Sequence, residues 1–127
     1  MIKLMIFIKK YDHVSRQEFI DHYENSHVPL VLKHTGKYML DYRRSYPDWN
    51  DPVIVSRNYS FGDNPSQEPT FDVVTEIWVK DRETLTAMFK VASDPELASI
   101  IDADLGKVRD GKNNRMFITE ERGMPGR

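Results

Sequence analysis

The chain has 127 residues, carries a net charge of −2 and contains no cysteine. That length fits one domain, with enough residues for an apolar core that needs no disulfide or structural metal. The lack of cysteine excludes a disulfide framework, a zinc ribbon and a thiol nucleophile. The interspersed acids and bases give no footing for a nucleic-acid or membrane-surface role.

The first ten residues, MIKLMIFIKK, are apolar but short, without a small-residue cleavage site, and they close on lysines. Neither a signal peptide nor a membrane span is expected, and the expected compartment is the cytoplasm. Residues 2–9 alternate, with Ile2, Leu4, Ile6 and Ile8 on one side and Lys3, Met5, Phe7 and Lys9 on the other. This is a strand. Met5 and Phe7 on its second side call for cover on both faces of the sheet.

Ser15-Arg16-Gln17-Glu18 is a capping-box pattern, and Val14 and Phe19 are spaced for a hydrophobic staple. A helix follows whose inward stripe holds Phe19, Ile20, Tyr23 and His27. Pro29 disfavours helical geometry at Val28, so this helix is expected to end just after His27. Pro29 can then open a second short turn, which Gly36 closes. Residues 38–46 read as a strand with Tyr38, Leu40 and Tyr42 on one side. The stretch from Pro47 to Pro69 is long for a connection and is a candidate functional loop or lid, with Val53–Val55 as a strand extension inside it. Residues 71–79 form a third strand, with Phe71, Val73, Thr75, Ile77 and Val79 on one side. Asp81 caps a helix whose stripe is Leu85, Met88, Phe89 and Ala92. Asp94-Pro95 opens another, with Leu97, Ile100, Ile101, Leu105 and Val108 as its buried residues. Residues 115–121 form the last strand. The order is that of an α+β, ferredoxin-like split β-α-β protomer: a four-stranded antiparallel sheet with helices on one face. Its open face is expected to meet a second copy, giving a homodimer.

The segments FIDHYENSHVPLV, FDVVTEIWV, SDPE and DADLGKVRD, and a last strand ending in TEE, resemble the EthD-like family. The likeness runs from Met1 to about Glu121, so residues 1–121 are expected to form one domain and 122–127 a flexible tail. The resemblance implies a dimeric α+β barrel. It also implies mixed functions: cofactor-free isomerases or lyases of aromatic catabolism, decarboxylases and anthrone oxygenases of polyketide tailoring, and accessory proteins of oxygenase systems.

His27 is the leading catalytic candidate, because an imidazole can take and return a proton near neutral pH. The resemblance places a histidine here at the pocket. The competing reading is a helix-end histidine meeting the last carbonyls. Tyr42 is a candidate to steady an oxyanion, or is a half-buried strand tyrosine. Tyr23 has the same two readings. Asp104, in an apolar run, either fixes the His27 tautomer or is a surface carboxylate; Asp102 is its solvated neighbour. Arg43 and Arg44 are candidates to grip a substrate carboxylate. Tyr38, Phe7, Trp78 and Phe89 suit a flat apolar ligand. His34, seven residues after His27, shares its face if the helix is unbroken. His13 and His22 read as structural or solvent-facing.

No metal and no cofactor are expected. The histidines lack the spacing of a helical zinc pair, and the Glu24/His27 step resembles a di-iron element that needs further helices. The expected function is a cofactor-independent acid/base enzyme acting on a small cyclic or aromatic carboxylic acid, as a decarboxylase or a related lyase or isomerase. The alternatives are a cofactor-free anthrone-type oxygenase and a non-catalytic protein that holds a hydrophobic ligand.

Overall fold

The computed structural model describes residues 1–52 and 70–126. Val53–Val55, Tyr59 and most of the candidate lid lie outside the described residues. Strand β1 (Ile2–Lys10) leads into helix α1 (Arg16–His22). The Ser15 oxygen accepts the Glu18 amide, which forms the serine half of the box. Val14 and Phe19 are buried in one cluster, as the staple requires.

Pro29 does not end the helix. A wide π-helical turn, Tyr23–His27, joins α1 to helix α2 (Val28–Thr35), and the dihedrals stay right-handed helical through Tyr23, His27 and Val28. The Val28 N–H bonds the Tyr23 carbonyl, five residues back. Proline lacks an N–H and its ring collides with the carbonyl four residues back. A widened turn just before it opens the helical ladder at that point. The chain then passes Gly36–Tyr38, a 3-10 turn, into strand β2 (Met39–Ser45). Gly36 ends α2 with ordinary right-handed dihedrals.

The widened turn also sets which residues face inward. Phe19, Tyr23, His27, Val31 and Thr35 follow one another in steps of four and are buried or partly buried. In a pure α-helix such a row drifts by about 40° per step. The underwound turn takes part of that drift back. His34 lies off this row, which corrects the expectation that it shares the His27 face.

Strand β3 (Val73–Val79) precedes helix α3 (Arg82–Ala92), helix α4 (Pro95–Leu105) and strand β4 (Arg109–Thr119). Asp81 and Asp94 cap the two helices as their sequence contexts predict. Three sequence expectations change. A register shift in β2 between Met39 and Asp41 makes Leu40 a bulge, so Met39 and Tyr42 face the helices while Leu40 is exposed. Ile100 is exposed on the outer side of α4. The last strand starts at Arg109, not 115. The turn-type residues Asp110, Gly111 and Asn114 fall where the β1–β4 register shifts, and Asn114 accepts the Lys9 amide.

The sheet is four-stranded and antiparallel in the order β2-β3-β1-β4, the ferredoxin-like arrangement. The helices cover one face. There Leu4 and Ile8 meet Val73, Ile77 and Val79 from β3, together with Phe19, Leu85, Met88 and Leu105. Across the other face Phe7 packs on Phe71 and Phe117, and Trp78 donates to Glu121. Residues 122–126 are in neither helix nor strand. No helix among the described residues is long and apolar enough to cross a membrane.

Phe19 is fully buried at the start of the inward row. Phe19→Ala is expected to cost about 3–5 kcal/mol of unfolding free energy, and Ser15→Ala about 1 kcal/mol. Urea unfolding of the two variants checks this order.

Candidate active site

Beneath the inward row lies a cavity of about 240 Å³ between the helices and the sheet. Its floor is apolar: Leu4, Ile6 and Ile8 from β1 and Ile77 from β3. Met88 and Phe89 from α3 and Ile101 and Leu105 from α4 close the far wall. Into this apolar space reach His27, Tyr23, Tyr42, Thr75 and Arg109. Few polar groups converging in an apolar pocket is the usual form of a small-molecule site.

His27 is buried, and its ring stands 4.7 Å from that of Tyr23. Burial pushes the imidazole pKa down from 6.5 to about 4, and the nearby Asp104 carboxylate only partly opposes this. His27 is therefore neutral at neutral pH. Its Nδ1 faces the Asp104 Oδ2 at 3.8 Å, and both atoms are buried without a hydrogen-bond partner. That gap is too long for a hydrogen bond, so Asp104 acts on the imidazole as a nearby negative charge facing Nδ1.

Asp104 is held from the other side. The Ser26 hydroxyl donates to its Oδ1. The His22 Nε2 lies 2.9 Å from its carbonyl oxygen and 3.3 Å from Oδ1. A carbonyl only accepts, so His22 carries its proton on Nε2. His22 is thus a partly buried brace for Asp104, the structural one of the two readings its sequence position offered. Ser26 and His22 were invisible as site residues in the sequence because their partner lies 78 and 82 positions away.

The two tyrosines stay protonated. The Tyr23 hydroxyl shares a 2.8 Å hydrogen bond with Thr75 Oγ1, and burial pushes its pKa up to about 12. Tyr42 is also raised, first by burial and then by the neighbouring Tyr23. Its ring lies under the Arg44 guanidinium at 4.8 Å. Arg44 in turn grips Glu24 through Nε at 2.9 Å and Nη2 at 2.6 Å, and the Tyr46 hydroxyl adds a third donor at 2.6 Å. This clamp ties the widened turn to β2 and holds the Glu24 carboxyl below the usual carboxylate range.

A family model for the EthD domain matches residues 12–111. The chain belongs to the EthD family. An ethyl tert-butyl ether D family protein from Bacillus halodurans has a TM-score of 0.59 to it at 22% identity, over 96% of this chain and 100% of that one. HapK from Hahella chejuensis reaches 0.59 at 11% identity, over 98% of this chain and 95% of its own. A dimeric protein of ferredoxin-like fold and unknown function from Bacteroides fragilis reaches 0.54 at 12% identity, over 94% of this chain and 95% of that one. At these identities the likenesses show the fold. No curated protein matches the chain significantly.

Of the sequence candidates, this EthD chain brings His27, Tyr42, Tyr23 and Phe89 to the cavity wall, with Asp104 behind His27. The others lie elsewhere. Phe7 and Trp78 are on the opposite sheet face, because strand residues alternate sides. Arg43 is 69% exposed, pairs with Asp41 and stands over the Trp78 ring. Arg44 is engaged by Glu24 outside the cavity lining. Tyr38 packs against the core residues Leu4, Ile77, Val79, Leu85 and Met88, with the Lys37 ammonium over its ring. His34 lines a separate surface depression with Lys90 and Asp94. No three His, Asp or Glu side chains among the described residues converge to hold a metal ion.

Sequence reasoning missed Thr75, Thr35 and Arg109. Thr75 left a signal, being the polar residue in the inward parity of Val73, Ile77 and Val79. Arg109 left none, because its strand was not recognised. Its Nε is buried without a hydrogen-bond partner, and its nearest carboxylate is the exposed Asp102 at 3.8 Å. Leaving such a donor unpaired costs about 1–3 kcal/mol.

The lowered His27 pKa fixes a pH dependence. Unfolded, His27 takes up a proton near pH 6.5; folded, it does so only near pH 4. Between those values the unfolded state holds more protons, so stability is full above pH 6.5 and falls as pH drops. About 2 kcal/mol is expected to be lost between pH 7 and pH 5. His27→Gln should remove that slope, as read by urea midpoints at fixed protein concentration.

Proposed function

We propose that this EthD protein is a cofactor-independent acid/base enzyme acting on a small cyclic or aromatic carboxylic acid, as a decarboxylase or a related lyase or isomerase. The observation that supports the reading is a neutral imidazole and a neutral phenol on the wall of one apolar cavity. His27 offers a basic Nε2 backed by Asp104. Tyr42 offers an O–H to an oxygen on which charge develops. In an isomerisation, His27 takes a proton from one carbon and returns it to another. In a decarboxylation, the bond to the carboxylate carbon breaks and its electron pair remains as an enolate that accepts from Tyr42. A solvent proton relayed through His27 then completes the new C–H bond. A negative charge on the occupant raises the His27 pKa towards neutrality, where proton transfer is most effective.

The cavity, about 240 Å³, lies below the usual ligand-site range of roughly 300–1,000 Å³. A single-ring acid suits that space better than a fused tricycle, which favours this reading over an anthrone-type oxygenase. The test is turnover of a panel of hydroxybenzoic and cyclic β-keto acids, followed by carbon dioxide release and by proton exchange at carbon. His27→Ala is expected to lower turnover by about two to four orders of magnitude. Turnover at the wild-type rate in that variant would sink the acid/base role. Ligand binding with no turnover of any acid would leave the non-catalytic reading in its place.

The same reading includes a homodimer. The sheet face away from the helices carries Met5, Phe7 and Phe117, the last 41% exposed. The Bacteroides fragilis neighbour of this fold is described as dimeric. Light scattering is expected to give twice the mass of the chain, and Phe117→Asp is expected to shift it towards the monomer.

A further inference from the structure

We infer that Arg109 is the anchor for the carboxylate group of the molecule that fills the cavity. The inference deepens the reading of this cavity as a site for a small acid and rests on it. Among the described lining residues, Arg109 is the one with a permanent positive charge. The arginines that the sequence offered for this task are engaged elsewhere, Arg43 with Asp41 and Arg44 with Glu24.

Arg109 is placed for the role by the end of α4. Gly106 bonds the Asp102 carbonyl at 2.8 Å, and a Cβ at Gly106 would stand 2.8 Å from that same oxygen, so the turn needs glycine. Val108 follows, buried, with its carbonyl accepting the Tyr11 amide at 2.9 Å. The backbone on the N-terminal side of Arg109 is thereby fixed, and Arg109 itself pairs with Lys10 at the start of β4. Its side chain is 25% exposed, and its Nε is buried with no partner. A guanidinium presents its N–H groups as a rigid fork that matches a carboxylate with two parallel bonds. The Nε–H is shut off from the cavity, so the acid is met by the terminal N–H groups, the open side of the fork. Asp102 at 3.8 Å leaves room for a better acceptor, since its own side chain is 71% exposed.

His27 feels the same positive charge, which lowers its basicity. A carboxylate bound at Arg109 neutralises that effect. The anchor thus holds the acid and restores proton affinity at the imidazole on the same cavity wall. The ligand class is a monoanionic carboxylate on a compact apolar ring.

Benzoate and its neutral isostere benzamide serve as probes, with affinity read by NMR titration of the whole chain. Wild-type protein is expected to bind benzoate at least about tenfold more tightly than benzamide. Arg109→Gln is expected to lose about 10- to 100-fold in benzoate affinity and to leave benzamide unchanged. Retained benzamide binding also shows that the cavity is intact. If Arg109→Gln does not fold, Arg109→Lys keeps the charge without the fork, and at least about a threefold loss for benzoate alone is expected. The proposal is overturned by unchanged benzoate affinity in the variant, by equal losses for both probes, or by failure of benzoate to bind wild-type protein at millimolar concentration. These affinities are read without turnover. Failure to turn over any acid therefore strikes the enzyme reading alone, and benzoate binding that ignores Arg109 strikes the anchor alone.

Discussion

A proline inside a helix removes one backbone N–H and presses its ring on the carbonyl four residues back. In this chain the helix is not broken by Pro29; it widens by a turn before it, at Tyr23–His27. The site depends on that accommodation. An unbroken helix carries Phe19, Tyr23, His27, Val31 and Thr35 over the sheet as one row. A break at Val28 would have left His27 at a loose end, free to meet solvent or the last carbonyls. Instead its ring is buried between Tyr23 and Asp104.

Holding a widened turn in place needs contacts from outside the helix. Two sets supply them. On one flank, Glu24 accepts from Arg44 and Tyr46 of the β2 region. On the other, Ser26 and His22 reach Asp104 at the end of α4. The turn is thus pinned between the first and second halves of the split β-α-β unit. π-helical turns recur at functional sites, and here the physical reason is visible: the turn aims a histidine and a tyrosine inward while its other side chains fasten it.

Desolvation governs the chemistry of the cavity. It lowers the imidazole pKa of His27 and raises the phenols of Tyr23 and Tyr42, so these three groups are held in their neutral forms. Nearby charges act second. The orphaned Nδ1, Oδ2 and Arg109 Nε form a set of buried donors and acceptors whose partners are absent or too far. Such unmet groups are unfavourable in a resting fold.

Much of the fold was legible before any coordinates. Period-two alternation in residues 2–9 and 73–79, the Ser15 cap and its Val14/Phe19 staple, and the Asp81 and Asp94-Pro95 helix starts are local signals, and local backbone physics decides them. The spacing of Tyr23 and His27 was legible for the same reason, as neighbours one turn apart on an inward stripe. What the chain alone could not show were effects that depend on distant partners. The bulge at Leu40 arises from pairing with β3, and the early start of β4 at Arg109 from pairing with β1. Pairing of Phe7 with Arg115 and of Lys9 with Asp110 joins both flanks into one strand, and residues 111–114 take up the register shift between them. The continuation of the helix past Pro29 is likewise tertiary, since Arg44, Tyr46 and Asp104 come from other elements. So the sequence by itself determined the element order, the inward faces and the pair Tyr23/His27. Only the tertiary structure decided that Arg109 and Thr75, rather than Arg43 and Trp78, share their cavity. Side-chain alternation assigns a residue to a face, but which face encloses a space depends on what packs against it.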